Sequence, residues 1–66
     1  MNLKTTDHAK GHGILIVMSA ITVIEQLTQG SRIIEGTCIW VQGRNEPHFV
    51  SAPFHHVAEM LALSQG

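Results

Sequence analysis

The second half of the chain, Ser31 to Gly66, permits few folds. It reads as a long strand, a polar turn, a short strand and a terminal helix. Between Ile33 and Val41 the even positions, Ile34, Gly36, Cys38 and Trp40, are apolar throughout. The odd positions, Ile33, Glu35, Thr37, Ile39 and Val41, are mixed but carry three large aliphatics. Successive strand residues point to opposite faces, so these are two surfaces. The even face is expected to meet the core. The odd face is too aliphatic for open water and is expected to be partly covered, by a second subunit. Gly36 marks a bulge or a close approach in mid-strand.

Gln42 to Pro47 has no apolar residue but the proline. Gly43 and Asn45 tolerate positive φ, and Pro47 cannot continue a central ladder. His48 to Ser51 then returns antiparallel, completing a hairpin. Ser51 suits an N-cap and Pro53 a first helical turn. Phe54, Val57, Ala58, Leu61 and Ala62 follow the i, i+3, i+4 spacing of one helical stripe over 53–64, and Met60 and Leu63 widen it. Gly66 follows the helix.

The first half is less decided. Seven of the eleven residues from Ile14 to Ile24 are β-branched, which favours strand. The reading is a short strand at 14–18, a kink at Ser19-Ala20 and a longer strand at 21–28. One buried helix ended by Gly30 also satisfies the spacing, and periodicity alone does not arbitrate. Residues 1–13, MNLKTTDHAKGHG, are polar and glycine-rich. They read as a flexible leader, dispensable for folding, ahead of one domain at 14–66. The fold class expected is α+β: an antiparallel sheet of three or four strands with one C-terminal helix on a face.

At 66 residues, such a domain buries only about 60% of its unfolded surface and gains from a staple. Cys38 is the only cysteine, so no disulfide forms within the chain, and the paired cysteines of a zinc site are absent. Oligomerisation remains, and a homodimer is expected. The candidate interface residues are Ile33, Ile39, Val41, Trp40, Met60 and Leu63. Trp40 has two readings, core residue or interface anchor.

A net charge of −1 with 14% charged residues argues against a basic nucleic-acid surface. Arg32 and Arg44 also flank opposite ends of one strand. The longest apolar run, Ile14 to Met18, is far short of a membrane span, and no signal peptide is read. A lone strand cysteine fits a reducing compartment, so a cytoplasmic location is expected.

No catalytic, cofactor-binding or metal-binding set is assigned. His55 and Glu59 stand at i, i+4 and read as a solvated helical pair. His48, His55 and His56 converge into a metal-binding or pH-sensitive patch only if the hairpin folds back on the helix. Asp7, His8 and His12 read as a solvated tail. Cys38 lies on the apolar face and reads as buried and inert. No nucleophile, base and orienting group can be assembled, so the chain is not expected to be an enzyme.

Two stretches resemble the small flagellar FlbD/SwrD-type proteins and related short phage-encoded proteins. Ile21-Thr22-Val23-Ile24-Glu25 matches their Ile-x-x-Ile-Glu step. Val50, Val57 and Leu61 fit the hydrophobic frame of their last part. Met18 or Ser19 stands where that pattern has an asparagine, and His55-His56 where it has acidic residues. The resemblance spans Ile14 to Leu63. It implies a β-β-β-α fold, a non-enzymatic accessory role and self-association. The function expected is a small accessory protein that self-associates and binds a protein partner, with a phage or mobile-element host factor or defence inhibitor as one form of it. The alternative is a small nucleic-acid-binding regulator.

Overall fold

The computed structural model describes residues 1–65, and Gly66 lies outside them. It has two antiparallel sheets and one C-terminal helix, a small α+β fold. The strands are β1 (Asn2–Thr6), β2 (Gly13–Val17), β3 (Ile21–Gln29), β4 (Arg32–Val41) and β5 (His48–Val50). A 3-10 turn at Met18–Ala20 separates β2 from β3, and α1 covers Phe54–Gln65. Strands are thus formed on both sides of the Ser19-Ala20 kink, and the one-helix alternative for this region does not hold. The enrichment in β-branched residues decides in favour of strand.

β1 and β2 form a hairpin, and β3-β4-β5 a meander. The two sheets are joined through β1 and β5. An antiparallel bridge pairs Asp7 with Val50. Ser51 N donates to Thr6 O at 3.0 Å and His8 N to Phe49 O at 2.8 Å on either side of it. The spatial order is therefore β2-β1-β5-β4-β3.

The expected leader is a structural strand. Leu3 is 2% exposed and belongs to the core with Ile16, Met18, Ile21, Ile39, Val50, Ala52 and Val57. Thr5 also faces inward: its Oγ1 accepts from Ala52 N at 3.1 Å and lies 3.3 Å from Ser51 Oγ. With one apolar residue facing in, β1 shows no hydrophobic alternation. Besides its ladder with β2, it has partners more than forty residues away, at Ser51 and Ala52. Ser51 is therefore occupied by β1 and does not cap the helix. The first helical bond is Val57 N to Pro53 O.

Beyond a bulge in β4 the buried face is the odd one, not the even one expected. Gln26 pairs with Thr37 but Thr28 pairs with Ile33, so Leu27 opposes the three residues Ile34, Glu35 and Gly36. Gly36 takes φ +131°, open only to glycine at low cost. An added Cβ there would lie 2.7 Å from Val50 O and 2.9 Å from Leu27 Cδ2. The Gln26 side chain donates to the freed carbonyls of Ile34 at 2.9 Å and Gly36 at 3.3 Å. Below the bulge Ile33 and Ile34 both border a cleft beside Pro53 and Phe54, while beyond it Thr37 and Ile39 turn inward and are fully buried. Thr37 Oγ1 satisfies itself on Ala52 O at 2.7 Å. The even residues Cys38 and Trp40 are consequently on the outer face and only half-buried.

α1 packs against β3, β4 and the 3-10 turn. Val57 is fully buried, and Met60 and Leu61 pack half-buried against the core.

Candidate interaction surface

The candidate interface residues do not form one surface. Ile39 is 0% exposed and is a core residue, because the odd face of β4 beyond Gly36 is the one that meets the core. Val41 and Met60 pack against the same core. Ile33 and Leu63 are 75% and 72% exposed, one at the start of β4 and the other near the end of α1. Ile33 borders a cleft of about 290 Å³ that also involves Ile34, Pro53 and Phe54. Of the six, Trp40 is the residue that belongs to a continuous apolar patch.

That patch is the outer face of the meander. Val23 is opposite Trp40, Glu25 is opposite Cys38, and Cys38 is opposite Phe49. Val23 and Phe49 are exposed large hydrophobics. Directly opposed residues have Cβ atoms about 5 Å apart, so these side chains lie against one another. Glu25 is the single acidic residue among them, and its Oε1 accepts from Trp40 Nε1 at 3.3 Å. The Cys38 thiol is held above its usual pKa, first by partial burial and then by the Glu25 charge, with an opposing contribution from Trp40. A thiol favoured in its neutral form is a poor nucleophile.

The histidines are dispersed. His55 and His56 are exposed at the start of α1, and His48 lies on β5 against Asp7. Among the described residues no three metal-ligating side chains come together.

Asp7 carries a structural task that its polar surroundings in the sequence concealed. It is 6% exposed, and its Oδ1 accepts from Ala9 N at 2.8 Å and Lys10 N at 3.0 Å, closing the β1–β2 turn. Its Oδ2 lies 3.7 Å from His48 Nδ1. The Lys10 amide is the chief cause that holds its pKa below the usual value; burial opposes this, and the Ala9 amide and His48 add to it. A lowered folded-state pKa stabilises the fold above the unfolded pKa of about 3.9, and that contribution is lost as pH falls through the folded value. Asp7→Asn is expected to lose this acid-limb dependence. Urea midpoints measured between pH 3 and pH 6 check it, and an unchanged slope in the variant would remove Asp7 as the origin.

Comparison with protein-family models, curated proteins and solved structures found no match. No helix among the described residues is long and apolar enough to cross a membrane.

Proposed function

We propose that this chain is a small non-enzymatic interaction protein that self-associates and binds a protein partner. The observation that carries the reading is the outer face of β3-β4-β5, where Val23, Trp40, Cys38 and Phe49 stand side by side on the side away from the core. α1, the one α-helix among the described residues, packs on the core side, and Val23 and Phe49 on this face remain exposed. Contiguous exposed apolar surface marks interaction sites in small soluble domains. A half-buried tryptophan with a neighbouring phenylalanine is the side-chain type that anchors protein interfaces. The resemblance to flagellar FlbD/SwrD-type proteins supports the same accessory role.

Two measurements test it. Light scattering coupled to size exclusion at micromolar concentration is expected to give more than the 7.2 kDa of one chain. In co-purification from the native cell, Trp40→Ala is expected to weaken retention of the partner by about 30-fold, the effect of losing an anchor worth about 2 kcal/mol. Equal retention by the folded variant would move partner binding off this face.

A further inference from the structure

The outer edge of β2 has no partner strand among the described residues. The phase of the β1–β2 ladder follows from the bonds at its two ends. Met18 N donates to Met1 O at 3.0 Å, and Asp7 N donates to His12 O at 2.8 Å. Hydrogen-bonded and non-bonded pairs alternate in an antiparallel ladder. With the observed register, Leu3 with Ile16 and Thr5 with Ile14 are then the hydrogen-bonded pairs. The backbone groups of Asn2, Lys4 and Thr6 point away from β2, and those of Gly13, Leu15 and Val17 point away from β1. The bond from Ser51 N to Thr6 O agrees with this phase. It also shows where the two outer edges differ. The edge of β1 is used by β5, whereas Gly13, Leu15 and Val17 make no backbone hydrogen bond outside their own ladder among the described residues.

The geometry points to a two-fold dimer in which a second copy of this chain adds antiparallel to β2, with the axis at Leu15. In that register Leu15 opposes Leu15 of the second copy, and Gly13 opposes Val17. These are the residues whose amides and carbonyls point outward, so each such pair exchanges two hydrogen bonds. The set is self-complementary without any backbone change. Ile14 and Ile16 of the two copies form the close non-bonded pairs on the inward face and prolong the core. On the outer face Leu15, 63% exposed in one copy, meets its counterpart, and Val17 lies over the bare Cα of Gly13. A groove of about 400 Å³ beside Lys4, Gly13, Ile14 and Leu15 is where the second strand would enter.

Charge favours this edge and this occupant. The sequence Gly-Ile-Leu-Ile-Val of β2 carries no charge, no proline and no bulge, the devices that normally block edge pairing. The other outer edge, β3, carries Glu25 and two register irregularities. In the β2 dimer the two Lys4 side chains each stand on the neighbouring β1. They are three strand spacings apart, about 14 Å, beyond the Debye length of about 8 Å.

The inference rests on self-association and names its surface. The test is light scattering of the full chain from about 10 to 500 μM, with Leu15→Pro and Leu15→Lys as variants. Leu15 N points outward, so proline there removes no bond within the hairpin while blocking the second strand. Leu15→Lys places two ammonium groups side by side on the axis and keeps the amide. The wild type is expected to dimerise, and each variant with wild-type circular dichroism is expected to stay near 7.2 kDa throughout the range. A mixed-label sample of the wild type is expected to show an intermolecular contact between the α-protons of Ile14 and Ile16, which does not depend on any variant folding. A wild type that dimerises with no such contact, or folded variants that dimerise equally, would overturn the β2 edge and leave self-association standing. A wild type that remains monomeric throughout would overturn both.

Discussion

Deleting residues 1–12 is expected to abolish cooperative folding. The deletion removes Leu3 from the core, and truncating a buried leucine alone to alanine costs about 2–5 kcal/mol. It also removes the whole ladder that holds β2, and β2 supplies Ile16 to the same core. The bonds from Ser51 to Thr6, from His8 to Phe49 and from Ala52 to Thr5 go with it, leaving the groups on β5 and its exit without partners. A domain of this length has a total stability of about 3–10 kcal/mol. The losses match or exceed that. Thermal unfolding followed by far-UV circular dichroism checks the outcome. A chain starting at Gly13 that melts within about 4 °C of the full chain would place the first strand outside the folded unit.

Ile39→Glu is the second large effect, and its sign separates two pictures of β4. On an interface, the glutamate would give a soluble, folded monomer. In the core, with Ile39 at 0% exposure, it puts an unpaired carboxylate among Leu3, Met18, Val50 and Val57. An uncompensated buried charge costs several kcal/mol, comparable with the whole stability of the domain. The variant is expected to be unfolded or insoluble at pH 7. Ile39→Val, which keeps the shape but for one methyl, is expected to cost only about 0.5–1.5 kcal/mol. A soluble Ile39→Glu protein with native circular dichroism would show that β4 presents its odd residues to solvent beyond Gly36.

The parts of the fold legible in the sequence are those whose signals are local. The Gln42–Pro47 turn, the β-branched run from Ile14 to Ile24 with its kink, and the Phe54-Val57-Leu61 stripe each announce their element within a few residues. What escaped depends on partners distant in the chain. β1 is a strand because it pairs along its whole length with β2, Thr6 and His8 reach β5 and Leu3 reaches the core, and the last two cannot be inferred from a segment with one inward apolar residue. Alternation alone gives β4 one period through Val41. The three residues that oppose Leu27 interrupt the ladder, and beyond Gly36 it is the odd residues Thr37 and Ile39 that are buried. Gly36 was a visible marker, and only the pairing register shows its effect. For the same reason the interface set mixed core residues such as Ile39 with surface ones such as Ile33. The outer patch needed the cross-strand neighbours Val23 and Phe49 as well as Trp40. The free edge at Gly13, Leu15 and Val17 became visible once the hairpin partner was known.

Native-state amide hydrogen exchange at low and high protein concentration tests the whole arrangement in one measurement. His8 and Ser51, whose amides join the two sheets, are expected to exchange slowly at both concentrations. Leu15 and Val17, whose amides point out of the hairpin, are expected to exchange rapidly in dilute protein and slow down as concentration rises. Rapid exchange of His8 and Ser51 at both concentrations would contradict a fold closed by its first strand.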